Sequence, residues 1–403
     1  MGKIILNECK KVYILETHRA RIPDATLHSV QSKQKILEMK SLRDATEVDR
    51  IGIPVFTCYR IRPDGSRTDH TGKGASKTQA EVSVTMEAIE RYSSEFREAD
   101  TKNLIKGSYN NLKIKCNTLD PQQLILSRFS DYNPDGKLYW VQGYDLIKDE
   151  EILIPACAVY HPFTFDDVPL INTNTDGIAS GNTMEEAIFH ALTEVIERDA
   201  WSIAKYSHEP DDALLIKDRA DNQFILDILK KFKKADIEIV CKDITSDIGV
   251  PVIAAFSRDL IHEGMMPVDG FGAHLDPKVA MARALLELAT TRALFIQKYG
   301  IEGLVDHIPP YLQRGGEVDD PRFCAYRQKN LGELEAGYSE DISKDIETVM
   351  TRLEERGLRR VITVDLTRPE IGIPTVRTII PGMEAYCFDR TRMGERLFKP
   401  KGN

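Results

Sequence analysis

Ile51-Gly52-Ile53-Pro54-Val55-Phe56-Thr57-Cys58-Tyr59 is the stretch on which the fold turns, because its opening tetrapeptide returns three times. The other copies are Ile152-Leu153-Ile154-Pro155, Ile248-Gly249-Val250-Pro251 and Ile371-Gly372-Ile373-Pro374. Val252-Ile253-Ala254-Ala255-Phe256 follows the third copy as Val55–Tyr59 follows the first. Proline lacks an N–H and suits the first residue or the edge of a strand, so each copy is expected to lead into one. Upstream, an apolar run ends in an acid and an aliphatic residue: Asp145-Leu146, Asp243-Ile244 and Asp365-Leu366, with the weaker Ala45-Thr46-Glu47-Val48-Asp49 before the first copy. Amphipathic helices precede two copies. Phe224, Ile225, Ile228 and Leu229 mark one, and Ile342, Ile346, Val349 and Leu353 the other.

A second repeat follows the first three strand pairs. It is a helix with alanine seven residues before glutamate: Ala80/Glu87, Ala187/Glu194 and Ala280/Glu287. Strand pairs and helices repeated around a common centre define an α/β class. The N-terminal residues and the region from about 300 to 360 read as elaborations. With no Gly/Ser linker or low-complexity tract, one body is expected, made of an element at 1–50 packed on a core at 51–385, with a tail at 386–403.

The chain has 403 residues, 42% hydrophobic and 29% charged, which excludes disorder, collagen and coiled coil for the whole. With 54 basic against 63 acidic side chains the net charge is −9, which disfavours nucleic acid as a partner. No apolar run is long enough to span a membrane. Seven scattered cysteines without a C-x-x-C pair indicate neither disulfide framework nor zinc knuckle, and a reducing cytoplasm is the expected compartment.

The chemistry concentrates on the repeated helices. Ser83, Glu87, Glu90 and Arg91 fall on one face of the first. Glu194, Glu197 and Arg198 share a face of the second with Ala187 and Ala191, small residues that suit close packing. Two carboxylates on a buried face are costly unless paired. A divalent cation resolves the cost, and all-oxygen ligands suit Mg²⁺ bridging to phosphates. The plainer alternative is an ion network in which Arg91 and Arg198 pair with these acids. Thr71-Gly72-Lys73-Gly74-Ala75 fails the Walker pattern, with Arg67 and Gly74 where Gly and Ser/Thr are required. It could still cradle an anion at a helix N-terminus, as could Asn174-Thr175-Asp176-Gly177, or each could be an N-capped turn. His70, His161, His190 and His274 lack metal-ligand spacing and read as scattered core or surface histidines. Lys230-Lys231-Phe232-Lys233-Lys234 reads as a solvated helix face.

Taken together, Thr71-Gly72-Lys73-Gly74, Ser83-x-x-x-Glu87-x-x-Glu90-Arg91, Asp176-Gly177-Ile178-Ala179-Ser180-Gly181 and Glu194-x-x-Glu197-Arg198 resemble the YcaO family from about residue 51 to 292. The resemblance implies a YcaO-type ATP-binding fold, with ATP and Mg²⁺ between acidic helices. It assigns Ser83, Glu87, Glu90, Glu194, Glu197 and Arg198 to nucleotide and magnesium, with the four glutamates as metal ligands and Arg198 as the catalytic cation. Arg19 and Thr26 match a basic and hydroxyl pair that contacts nucleotide, and Lys73, Glu287 and Arg292 complete the nucleotide set. The third helix departs from the family pattern, since Thr290 stands where many members have Gln. Asp176 stands where many have Asn.

YcaO proteins activate peptide backbone amides with ATP. Members that form azolines often carry a proline-rich tail, which Arg392–Asn403 does not resemble. The I-G-I-P strands and the 174–177 turn are most similar to the methanogen branch. That branch is linked to thioamidation of a glycine in the alpha subunit of methyl-coenzyme M reductase. The expected function is therefore ATP-dependent thioglycine formation in that subunit, with a sulfide donor, a TfuA-like helper protein and a homodimeric state. The alternatives are an azoline-forming cyclodehydratase acting on Cys, Ser or Thr, and a nucleotide-regulated scaffold.

Overall fold

The computed structural model describes residues 2–165, 170–207, 211–217, 222–306 and 327–399. Cys324 and the last four residues of the expected tail lie outside them; the other six cysteines are free.

Three antiparallel strand pairs are built on one turn. Asp44, Asp243 and Asp365 each accept, through Oδ1, the N–H of the threonine two residues on, at 2.9, 3.0 and 2.9 Å. This is the local turn that short acidic side chains favour. Each threonine, Thr46, Thr245 and Thr367, then accepts through Oγ1 the first N–H after the proline, from Val55, Val252 and Thr375. Gly52, Gly249 and Gly372 sit between, with φ of 67°, 75° and 67°, the left-handed region that only glycine enters without strain. The acid of the first copy is thus Asp44. Asp49, the residue expected there from the weaker match, instead pairs with Arg292. The second copy also departs from expectation. Leu153 occupies the glycine position and cannot make the left-handed turn. It stays in the ladder opposite Gln142, and Pro155 closes the strand Glu150–Pro155 rather than opening one.

The strands form three main sheets. Lys40–Asp44, Val55–Ile61 and Arg67–Lys73 make the first, so residues before and after position 50 share a sheet. The second runs Val268–Ala273, Val252–Asp259, Ile237–Asp243, Asp212–Leu215 and Gln328–Asn330. The third runs Ile105–Ser108, Lys137–Asp145, Ile362–Asp365, Thr375–Ile379 and Ile178–Ser180, with Glu150–Pro155 on Lys137–Asp145.

The repeated helices are Lys77–Ser94, Met184–Ser207 and Pro277–Asp306, the last kinked at Gly300. Ala80, Ala187 and Ala280 are fully buried on them. Helices Gln223–Lys234 and Ile342–Glu355 bury Ile225, Ile228 and Phe232, and Ile342, Ile346, Val349 and Leu353, respectively. The lysines around Phe232 lie on the outer side of their helix.

Close approach of helix to strand depends on glycine. A Cβ on Gly72 would lie 2.1 Å from the Ala80 carbonyl oxygen and 2.2 Å from the Val84 nitrogen. At the equivalent Gly272 it would lie 2.2 Å from the Ala280 oxygen. Both obstacles are backbone, so no rotamer relieves them. Gly72→Ala is expected to cost about 3 kcal/mol or more, at the upper end for an overpacked core, read as a lower urea midpoint. An unchanged midpoint would mean that the helix is free to move outward.

Candidate active site

The three repeated helices present the same positions to one cleft. Counting from the buried alanine, position +3 is Ser83, His190 and Arg283; +7 is Glu87, Glu194 and Glu287; +10 is Glu90, Glu197 and Thr290. At about 100° per residue these offsets share one helix face. The cleft has a volume of about 350 Å³, and the N-terminal segment covers one side of it. Of the residues expected from the sequence, Arg19, Thr26, Lys73, Ser83, Glu87, Glu90 and Glu194 line it. Glu287, Glu197 and Arg198 join through ion pairs. Lys73 Nζ meets Glu287 Oε2 at 2.7 Å. Arg198 bridges Glu197 at 3.0 Å, Glu194 at 3.6 Å and Asp176 at 3.8 Å.

Arg292 is not part of the site. It is buried between Asp49 at 2.8 Å and Asp259 at 3.1 Å. Two residues beyond Thr290 turn it about 200° round the helix, away from the cleft. The helix that follows the Thr71–Ala75 loop is capped by its own residues, Ser76 and Gln79 forming a reciprocal capping box. The N-capped turn is therefore the arrangement present there. Lys73 and Gly74 still line the cleft.

Several lining residues are ones that sequence reasoning does not assign to the site: Glu186, Asn182 and Arg283, with His190 read as a scattered histidine and Thr290 as a departure from the family pattern. The repeat itself carried the signal, since His190 and Arg283 occupy the position of Ser83. His190 is hydrogen-bonded to Arg19, so it is no scattered histidine. Glu186 accepts the Ala20 N–H at 2.9 Å and both its oxygens receive the Asn182 amide. The Asn182 carbonyl in turn accepts Thr26 Oγ1–H at 2.9 Å, tying the N-terminal segment to the second helix.

The electrostatics are unusual for carboxylates. Burial pushes Glu90 up to about 7, although Ser180 donates both its N–H and Oγ–H to Oε1 at 2.9 Å. Burial pushes Glu194 up to about 8 against the opposing pull of Arg198. Glu197 is also raised by burial. Burial pushes Glu287 the same way, but Lys73 and Arg198 outweigh it and hold the group below the ordinary value.

Glu197 Oε2, Arg198 Nε and Arg283 Nε are buried without a hydrogen-bond partner. Orphaned groups of both signs suit a ligand that is itself a cation joined to an anion. Among the described residues no three His, Cys, Asp or Glu side chains converge as a ready-made metal cage. Mg²⁺ characteristically takes one or two carboxylates and completes its shell with phosphate and water.

A pH dependence follows. A carboxyl raised in the folded state contributes stability below its ordinary value, about 4.5, and loses it as pH rises through about 8. The ligand-free protein is therefore expected to melt a few degrees lower at about pH 9 than at about pH 6, with Mg-nucleotide removing most of the difference. Calorimetric melts with and without Mg-nucleotide check this. A melting point that rises with pH in the ligand-free protein would contradict the burial of these acids.

Buried carboxyls that hold their protons more tightly than usual and cations facing the same cleft are the complement that a magnesium-bound nucleotide requires. Residues 71–384 match the family described as YcaO cyclodehydratase, ATP- and Mg²⁺-binding, and the chain belongs to that family. It shares 36% identity over 385 residues with an uncharacterized protein of Methanothermobacter thermautotrophicus, covering 93% of this chain and 97% of that one. A second relative, an uncharacterized protein in the tfuA 3′ region of Rhizobium leguminosarum bv. trifolii, is 24% identical, covering 91% and 88%. The structure of YcaO from Methanopyrus kandleri bound with AMPPCP and Mg²⁺ superposes with a TM-score of 0.79 at 27% identity, covering 98% of this chain and 100% of that one. ATP and Mg²⁺ are thus the cofactors of this chain, and its class is that of ATP-dependent enzymes acting on peptides. No helix among the described residues is long and apolar enough to cross a membrane.

Proposed function

We propose that the protein uses ATP to activate a peptide backbone amide and installs sulfur, converting a glycine of the methyl-coenzyme M reductase alpha subunit to thioglycine. The observation that supports the nucleotide-dependent activation step is that Glu197 Oε2, Arg198 Nε and Arg283 Nε are each buried without a hydrogen-bond partner, Arg283 lining the cleft and Arg198 joining Glu197 to its lining residue Glu194. The relatives from methanogens support the substrate, and the relative from a tfuA region supports thioamidation with a TfuA-like helper.

An amide oxygen is a poor leaving group. Attack of hydrosulfide on the carbonyl carbon gives an oxyanion that accepts the γ-phosphoryl group as ADP leaves; breaking the C–O bond then releases phosphate, and loss of the S–H proton leaves C=S. ATP supplies the phosphoryl group, and Mg²⁺ neutralises its charge. In this reading Glu87, Glu90, Glu194 and Glu197 would face the cation, one or two of them as direct ligands and the others through its water shell, while Arg19, Lys73 and Arg283 would bind phosphate. Ser83 donates a hydrogen bond to the nucleotide, Thr26, whose O–H is given to Asn182, lines the nucleotide's pocket, and Glu287 aims Lys73. Arg198 braces the acids and stabilises the transferred charge. The catalytic body is the 51–385 segment, and residues 1–50 deliver Arg19 and Thr26. A glycine substrate suits the reaction because, without a Cβ, its carbonyl is open to both sulfide and phosphate.

The test is mass spectrometry of a glycine-containing alpha-subunit peptide incubated with ATP, Mg²⁺, sulfide and candidate helpers. One oxygen replaced by sulfur is expected. The family description, cyclodehydratase, favours a second reading. In that reading the nucleophile is a substrate Cys, Ser or Thr, and the peptide loses water. Hydrolysis that never depends on peptide and yields no product would leave only a nucleotide-regulated scaffold.

A further inference from the structure

Arg19 reaches the cleft on a hairpin of two strands, Tyr13–Ile14 and His18–Arg19, each two residues long. A two-stranded ribbon is marginal at best by itself, so its position must be set by side-chain anchors. One anchor lies wholly outside the cleft. Lys11 Nζ meets Asp345 Oδ2 at 2.5 Å, both side chains completely buried. Asp345 belongs to the helix Ile342–Glu355 and its Oδ1 accepts the Ser339 N–H at 2.7 Å, so its carboxylate is fixed.

Lys11 Nζ also lies 2.9 Å from His18 Nδ1. An ammonium only donates, so Nδ1 is the acceptor and the imidazole proton sits on Nε2, on the side of Asp276 at 3.7 Å. His274 and Tyr338 pack edge-on against the same ring at 4.6 and 4.9 Å between centroids. The next residue after this clamped histidine is Arg19, which bonds His190 in the cleft. Neither Lys11, His18 nor Asp345 lines the cleft. Other bonds, Ile342 N–H to Cys9 O and Lys11 N–H to Glu340 O, hold the preceding segment along the helix start. The Val12 N–H reaches the Arg19 carbonyl at 2.9 Å, and Glu186 accepts the Ala20 N–H at 2.9 Å; the Lys11 side chain adds a buried tie from the helix Ile342–Glu355 to His18 on the returning strand.

We propose that Asp345, Lys11 and His18 form a buried positioning relay that holds Arg19 at the nucleotide. Fixing a cationic ligand through an outer partner lowers the cost of ordering it on binding. The inference rests on nucleotide occupying the cleft and not on the sulfur chemistry, so its test reads binding.

The probe is AMPPCP with Mg²⁺, titrated calorimetrically into the full chain. His18→Leu removes the acceptor and keeps the bulk; His18→Asn restores an acceptor near the Nδ1 position. Lys11→Met with Asp345→Leu removes both buried charges together, which avoids stranding one of them. Arg19→Ala is the reference for losing the ligand itself. His18→Leu and the double variant are expected to weaken binding about tenfold or more, the scale of losing an outer-shell partner, with His18→Asn close to wild type. Amide exchange over residues 12–20 rises in the weakened variants, while turnover at saturating nucleotide stays near wild type. Folded His18→Leu and double variants with unchanged affinity overturn the relay, as does a His18→Asn variant no better than His18→Leu. Unchanged affinity in Arg19→Ala instead overturns the placement of nucleotide against Arg19, and the relay with it.

Discussion

Glu90→Gln and Glu197→Gln should each lower peptide-dependent ATP turnover by about 100-fold or more, the scale of removing a charged group from a pre-organised site. The fold should survive both changes. Glu90 Oε1 serves structure by accepting the two Ser180 bonds, and an amide oxygen accepts them equally well. What Gln removes is the negative charge. That charge is held against burial strong enough to push the group up to about 7, so the substitution relieves a desolvation cost. Glu90→Gln is therefore expected to melt at or above the wild-type temperature while failing to turn over. Glu197 is subtler, because one oxygen pairs with Arg198 and the other has no partner. Gln keeps a hydrogen bond to Arg198 and cannot bind a cation as a carboxylate does. Phosphate release, Mg²⁺ dependence and circular dichroism on both variants decide the matter. Wild-type turnover in both would remove the acidic wall from the mechanism.

Arg198→Lys should reduce turnover by about 100-fold, as does a small misplacement of catalytic groups. Arg198 reaches three carboxylates at once, from two helical positions and one turn. Its planar fork makes that possible, and a lysine ammonium concentrates the charge at one point. The guanidinium also lies 5.7 Å from the Trp201 ring centre and 5.2 Å from that of Phe388, which fixes its plane. With Lys, Glu194 and Glu197 would repel more strongly and both would bind protons more readily. The pH profile of Mg-nucleotide binding should then move to higher pH, an effect that lost packing would not produce. Wild-type kinetics with an unmoved profile would leave Arg198 as an ordinary salt-bridge partner.

Periodicity made the helices and much of the cleft legible. Alanine and glutamate seven apart appeared three times, and +3, +7 and +10 face the same way in any α-helix. Carried to position +3, the same comparison would have placed His190 and Arg283 beside Ser83. The proline-led entry into a strand was legible in three copies, but the acid that opens the first turn was read as Asp49 where the structure has Asp44. Leu153 was the warning that the second copy differs. Arg292 was misplaced because a family spacing was followed where the helix had already turned away.

Local chemistry encodes the repeated unit, its acidic faces and the α/β class, since turn geometry and helical period act over a few residues. Packing selects which faces meet. Arg19 joins His190 across 171 residues, and Arg292 is withdrawn by an aspartate 243 residues earlier. Such pairings depend on how sheets and helices pack, and no local spacing encodes them. The raised carboxyls of Glu90 and Glu194 are likewise a property of burial, which exists only once the three helices close on one cleft.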